Sequence, residues 1–178
     1  MSFASVSDSD FAPEVYARAI SLFGELRLPP CSLRLRTSNT TKCFDVYDVM
    51  RNRWVALTPE EWVRQHFVAF MIEQLGFPPS RIANEVTLRL NKTVRRADTV
   101  VYDDLVRPLA VVEYKAPSIR LTTEILSQAQ RYNLVFNARL LMVTNGLDVY
   151  SIINNELRRE VITYSRLKEY LKTLKQGD

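Results

Sequence analysis

Apolar residues recur at two different periods along this chain, and the change of period marks out its elements. Over residues 13–27, Val15, Ala19, Leu22, Phe23 and Leu26 fall at helical spacing behind Pro13, which suits a first helical position. The pattern predicts a first helix there, stopped by Pro29-Pro30. Residues 31–57 then carry three short β-like runs, CSLRLR, KCFDVYDV and RWVAL. Thr58-Pro59-Glu60-Glu61 is a strong helix start, with threonine as cap, proline in the first turn and Glu61 as the partner of a capping box. Val63, Phe67, Phe70 and Met71 carry the apolar stripe on until Gly76.

Beyond Pro78-Pro79 the period drops to two. Val86, Leu88 and Leu90 alternate with Glu85, Thr87 and Arg89, which predicts a half-buried strand. A polar turn at Asn91-Lys92 leads to a second strand over 94–102. After Asp103-Asp104, PLAVVEYKAP reads as a third strand ended by Pro117. A helix over 121–137 follows, then LLMVT, joined to VYSII by the hairpin dipeptide Asn145-Gly146. Asn154-Asn155 turns into LRREVI, and a last helix from Ser165 aligns Leu167, Tyr170, Leu171 and Leu174. From residue 58 the order is helix, three strands, helix, three strands, helix. That predicts an α/β (α+β) domain around a mixed sheet, not a bundle or a sandwich. Residues 1–57 are expected to form an N-terminal helix and β extension packed on a core of residues 58–178.

Composition narrows the function more than the fold. The 178 residues include 24 Lys and Arg against 20 Asp and Glu, a formal charge of +4. At roughly 150 residues per domain, one domain is expected. No apolar run approaches the ~20 residues of a membrane span. The start, MSFASVSDSDFAPE, has acids where a secretory leader has a basic region. Cys31 and Cys43 are expected to be reduced thiols, and the cytoplasm is the expected location. A single histidine, His66, removes His-rich metal sites and most His-based acid–base schemes. Its place inside the 59–76 helix suggests a structural role. None of the four glycines opens a phosphate-binding loop, which argues against an ATPase motor and a dinucleotide fold. An enzyme built from this chain would work with carboxylates, lysine and a hard metal ion.

Residues 96–132 carry such a set. Glu113 and Lys115 are two apart on a strand, so both side chains leave the same face. Asp98 lies 15 residues before Glu113, the spacing of two antiparallel strands and a turn. If Asp98 and Glu113 converge, two neighbouring carboxylates call for a divalent cation between them. A lysine beside it could position or deprotonate a water and stabilise charge developing on a phosphate. Gln128 and Tyr132, four apart, stack on one face of the following helix.

The order Asp-(14 residues)-Glu-X-Lys, then Gln-X-X-X-Tyr, resembles the PD-(D/E)XK nuclease superfamily, in the branch with a glutamine–tyrosine motif. The segments YDVMRNRWVALTPEEWVRQHF (47–67), NEVTLRL (84–90), RRADTVVYDD (95–104), VVEYKAP (111–117), QAQRYN (128–133) and VTNGLDVY (143–150) are similar to the N-terminal nuclease module of type I restriction enzyme R subunits. The resemblance covers about residues 31–155. It implies a restriction-endonuclease-like αβββαβ core and metal-dependent hydrolysis of DNA phosphodiester bonds. By it, Asp98, Glu113 and Lys115 map onto the catalytic triad, with Mg²⁺ as cofactor and Mn²⁺ as its substitute. The backbone carbonyl of Tyr114 joins the implied metal ligands. Gln128 and Tyr132 map onto the pair that orients the site and contacts the substrate backbone. The family's additional acid has two candidates here, Glu61 and Glu85. Ala97 stands where the motif has proline, and Tyr114 stands where cysteine is frequent. The relatives continue into a helicase motor, so a separate helicase or translocase, or a specificity subunit, is an implied partner beside DNA. The alternative is a catalytically silent nucleic-acid-binding or assembly subunit with the same fold.

Blander readings compete at several positions. Glu113 and Lys115 alone would pass for a surface ion pair. Tyr132 also fits a core aromatic with its hydroxyl satisfied. Glu61 is already explained as a cap partner, and Glu85 fits a solvated strand position. Arg89, Lys92, Arg95 and Arg96 surround the turn before Asp98, where they would line a phosphate track. Arg34, Arg36, Arg51 and Arg53, with Trp54 for base stacking, would extend it.

Overall fold

The computed structural model describes residues 13–38, 43–90, 93–153 and 155–175. Helix α1 spans Pro13–Phe23, ending four residues before the expected position. Gly24 ends it by taking a φ of +89°, which side chains other than glycine's rarely tolerate, and its N–H donates to the carbonyl of Ile20 (2.8 Å). Strands β1 (Leu35–Thr37), β2 (Phe44–Asp48) and β3 (Arg53–Ala56) form an antiparallel three-stranded sheet. Helix α2, Pro59–Glu73, opens with Thr58 as its cap, as the sequence predicts. Trp62 of α2 plugs into an apolar cluster with Ala19, Leu33, Leu35, Phe44, Val46 and Leu57. Its indole N–H donates to the Gly24 carbonyl (3.1 Å), so this buried ring has its polar edge satisfied.

A six-stranded sheet follows, ordered β4 (Ile82–Leu90), β5 (Thr93–Tyr102), β6 (Pro108–Tyr114), β7 (Leu140–Thr144), β8 (Val149–Ile153) and β9 (Glu156–Arg158). Every neighbouring pair is antiparallel except β6 and β7, which run parallel. A parallel pair needs a long crossover, and helix α3, Thr123–Phe136, supplies it. Helix α4, Tyr164–Lys175, closes the domain. The αβββαβ order with a C-terminal hairpin and helix is the one expected.

The sheet separates two cores. Ala110, Val112 and Tyr114 of β6 pack with Val63, Phe67 and Met71 of α2 and Leu167 of α4. Val111, between them, packs on the other face with Leu126 and Ala129 of α3. This period of two lets one central strand serve both layers, which is why β6 is apolar nearly throughout.

One break in alternation shapes the site. Ile82 and Val101 pack on the α2 face, yet Val86 and Ala97, each four residues away, pack on the α3 face. A regular strand returns to the same face after four residues. The phase changes at Glu85, whose φ is +57°, and the ladder skips from Asn84↔Thr99 to Val86↔Ala97. Asp98 is the residue opposite that skip. The turn between β7 and β8 keeps the strand ends expected, Thr144 and Val149. It spans residues 145–148, because the Asn145 carboxamide oxygen accepts the N–H groups of Leu147 (3.0 Å) and Asp148 (2.8 Å) and rounds the loop.

Candidate active site

The β5–β6 ladder ends at Thr99↔Val112, so Asp98 and Glu113 are the next residues on each strand, where the two chains part. β6 stays paired with β7 through Tyr114↔Thr144, and the Lys115 N–H extends that pairing to the Thr144 carbonyl (2.9 Å). Glu113 is therefore fixed by one neighbour strand while its other side opens. Lys115 Nζ donates to Glu113 Oε1 at 3.0 Å. Burial pushes the Glu113 carboxyl above its ordinary range, and the nearby negative charge of Asp98 adds to the rise; Lys115 and Arg64 oppose it. Continuing the β5–β6 register puts Asp98 across from Glu113, so its negative charge weighs against an ionised Glu113.

Both oxygens of Asp98 are engaged. Oδ2 accepts the backbone N–H of Tyr114 (3.0 Å), and Oδ1 accepts from Arg64 Nη2 (3.0 Å). Arg64 also donates through Nη1 to Glu61 Oε2 (2.7 Å) and Glu85 Oε1 (3.1 Å). Burial works against its charge, but Glu61 and Asp98 outweigh that and hold the guanidinium above its usual basicity. Arg51 donates to Glu61 (2.5 Å) and to Asp48, which also accepts from Asn84 Nδ2 (3.0 Å). Burial raises the Asp48 carboxyl, but the hydrogen bonds from Asn84 and Arg51 prevail and hold it below the usual range.

This network revises several expectations. Glu61 Oε1 and Oε2 go to Arg51, Arg64 and Gln65 rather than back to the cap, so only half of the capping box forms: Thr58 Oγ1 accepts the Glu61 N–H (3.1 Å). Arg51 belongs to the buried network, not to a phosphate track. Arg34 lies over Tyr47 (4.5 Å to the ring centroid) and Arg36 over Trp54 (4.3 Å), so Trp54 is a surface stacking partner of this chain's own arginines. Glu85 does not join Asp98 and Glu113 as a metal ligand; its carboxylate faces Arg64, Arg51 (3.7 Å) and Arg96 (3.3 Å). Of the basic cluster, Arg96 is exposed and paired with Glu85, whereas Lys92 and the side chains of Arg89 and Arg95 lie outside the described residues.

Gln128 and Tyr132 sit on the exposed side of α3, with Gln128 Nε2 at 3.5 Å from the Tyr132 hydroxyl, while Leu126 and Ala129 face the core. Tyr132, at 43% exposure, is not a core aromatic. His66 is buried, with Nδ1 on the Trp62 carbonyl (2.8 Å) and Nε2 on the Tyr16 hydroxyl (2.9 Å). Sequence reasoning passed over Arg64, Asp48 and Asn84, and it placed Arg51 on the phosphate track rather than in this network. One signal was present: Glu61, Arg64 and Gln65 interrupt the α2 stripe at spacings of three and four, where side chains meet.

As a cation site the donor set is all oxygen, and the Asp98–Glu113 repulsion is of the kind a hard divalent ion relieves. Asp98 and Glu113 thus fit one. Among the described residues, no group of three or more His, Cys, Asp or Glu side chains is placed to hold a metal, so two carboxylates would need main-chain or solvent oxygens to complete the shell. No helix among the described residues is long and apolar enough to cross a membrane.

A solved structure shares this architecture. A fragment of an HsdR subunit assigned to a type I restriction enzyme of Vibrio vulnificus superimposes with a TM-score of 0.51 at 18% identity, over 66% of this chain and 26% of that one. The chain thus spans about a quarter of that relative, and the likeness shows the restriction-endonuclease-like fold. A protein of DUF820 assigned as a nuclease, from Anabaena variabilis, matches with a TM-score of 0.43 at 12% identity, over 72% of this chain and 86% of that one. No curated protein matches the chain. Residues 59–174, which run from the first residue of α2 almost to the end of α4 and include Asp98, Glu113 and Lys115, match the family described as type I restriction enzyme R protein N terminus (HSDR_N), and the chain belongs to that family.

Proposed function

We propose that this domain is a metal-dependent endonuclease module that hydrolyses DNA phosphodiester bonds. The observation that carries the reading is the junction where β5 and β6 part. It offers Glu113 with a raised carboxyl, Lys115 on its Oε1 at 3.0 Å, and Asp98 pinned by the Tyr114 N–H at 3.0 Å. Asp98 and Glu113, with the backbone carbonyl of Tyr114, would hold Mg²⁺, or Mn²⁺ in its place. The bound ion would supply Lewis-acid polarisation of the phosphate and a more acidic water. Lys115, half-buried and already oriented by Glu113, holds a positive charge at the strand end, where it can position the attacking water and neutralise charge growing on the phosphate. Gln128 and Tyr132 frame the approach from α3. Arg96 with Arg89, Lys92 and Arg95 would draw the backbone of the duplex toward the junction. DNA is the proposed substrate, and a separate helicase or translocase, or a specificity subunit, the proposed partner.

The test is cleavage of plasmid DNA with and without Mg²⁺. Asp98→Asn and Lys115→Ala should each abolish cleavage while leaving the melting curve cooperative. Cleavage retained in both would overturn the reading. One observation favours a second reading, a non-catalytic nucleic-acid-binding or assembly domain: Asp98 already has a buried cationic partner in Arg64. Metal-independent DNA binding without cleavage would select it.

A further inference from the structure

Arg64 is 4% exposed, and its guanidinium touches three carboxylates from three elements: Glu61 of α2 (2.7 Å), Glu85 of β4 (3.1 Å) and Asp98 of β5 (3.0 Å). Among the described residues no other cation pairs with all three. Arg51 pairs with Glu61 (2.5 Å) and approaches Glu85 (3.7 Å), and Lys115 pairs with Glu113. Carboxylates this close need a positive centre, and the chain has supplied its own. The backbone is shaped for it, since Glu85 is turned to Arg64 from a left-handed φ of +57° that glutamate rarely adopts.

We propose that Arg64 stands where a second divalent cation would otherwise bind, and so limits the site to one ion, held at Asp98 and Glu113. The proposal rests on the metal-dependent reading above. Two-ion phosphodiester sites hold their ions roughly 3.5–4 Å apart, an arrangement that a carboxylate shared between the ions would bridge. Asp98 has the position of that shared carboxylate, but its Oδ1 faces a guanidinium. A fixed positive charge there repels a second ion. Hard divalent ions also draw oxygens to about 2.0–2.6 Å, whereas these oxygens stand at hydrogen-bond distance from nitrogen. Arg64 can balance charge and hold Asp98, but it cannot polarise a water as a metal does. It is a positioning residue rather than a catalytic one.

Mn²⁺ stoichiometry, measured by calorimetry and by the resonance of free Mn²⁺ on the whole chain, tests this. The wild type should bind one ion, Arg64→Lys one, and Arg64→Gln two. Adding Glu61→Gln to Arg64→Gln should remove the gained ion. Mn²⁺ should also raise the melting temperature of Arg64→Gln more than that of the wild type, because an ion that binds only the folded state stabilises it. Two ions on the wild type, no gain in Arg64→Gln, or an Arg64→Gln chain that stays unfolded in Mn²⁺ would each overturn the proposal. A wild type that binds no ion, beside an Arg64→Gln variant that gains one, would instead sink the metal-dependent reading and leave the role of Arg64 standing.

Discussion

The backbone N–H of Tyr114 donates to Asp98 Oδ2 at 3.0 Å while the same residue's hydroxyl donates to Thr99 Oγ1, also at 3.0 Å. One residue thus closes a ring of polar contacts. From the Tyr114 hydroxyl it runs through Thr99 and Asn84 to Asp48, across Arg51 to Glu61, and through Arg64 back to Asp98. Tyr114 stands where the resembled motif often has cysteine, and the ring explains why a tyrosine suits this chain. Its body fills the α2-side core, its hydroxyl holds the network, and its backbone orients Asp98.

Tyr114→Phe should therefore separate stability from function. It deletes one buried hydrogen bond, worth about 1 kcal/mol, and keeps the ring volume and the backbone N–H. The expected loss is about 2–4 °C in melting temperature for a chain of this size, with the proposed DNA cleavage retained. A variant of unchanged stability would show that the hydroxyl contributes nothing to the network.

Thr58→Ala and Glu61→Gln separate the cap from the network. The first removes only the cap acceptor of α2 and should cost about 1 kcal/mol. The second removes a charge facing Arg51 and Arg64, and breaking a buried pair typically costs about 3–5 kcal/mol. Urea denaturation of both variants checks the ranking. Equal costs would mean that the Glu61 pairs with Arg51 and Arg64 add little to stability.

His66 should make the fold acid-sensitive. Burial holds its imidazole below the ordinary value, against the Trp62 carbonyl bond, which favours the charged form. A depressed folded value means that the neutral ring stabilises the fold above the unfolded value, near pH 6.5, and that this contribution is lost as pH falls through the folded one. Melting temperature should drop more steeply from pH 7 to 5 in the wild type than in His66→Gln. Parallel curves would contradict the assignment.

Most of the architecture was legible because it follows from local rules. The Thr58-Pro59 start, the switch to period two after Pro79, and the apolar runs of β6 and β7 each dictate one element. Asp98, Glu113 and Lys115 were legible as a spacing. What the sequence concealed is long-range pairing. Arg51 meets Glu61 and Asp48 meets Asn84 across 10 and 36 residues, and no periodicity encodes such contacts. The end of α1 and the phase change at Glu85 were hidden for a related reason. Each depends on one residue adopting positive φ, which a hydropathy pattern does not register.

Glu113→Gln provides a test whose sign is fixed by the pair it breaks. Burial and the Asp98 charge raise the Glu113 carboxyl, so the protonated form is the one the fold prefers. That preference contributes fully below the unfolded value, near pH 4.3, and disappears as pH rises through the higher folded value. As pH rises in chelator, the wild type passes into the ionised and disfavoured form, whereas the amide mimics the protonated one throughout. Glu113→Gln should then melt above the wild type at pH 7, and the difference should shrink toward pH 4. Adding Mn²⁺ should reverse the order, raising the melting temperature of the wild type and leaving the variant unmoved. A variant less stable than the wild type at pH 7 in chelator would mean that the Lys115 pairing outweighs the repulsion from Asp98, and the strand junction would lose its claim as a site charged for a cation.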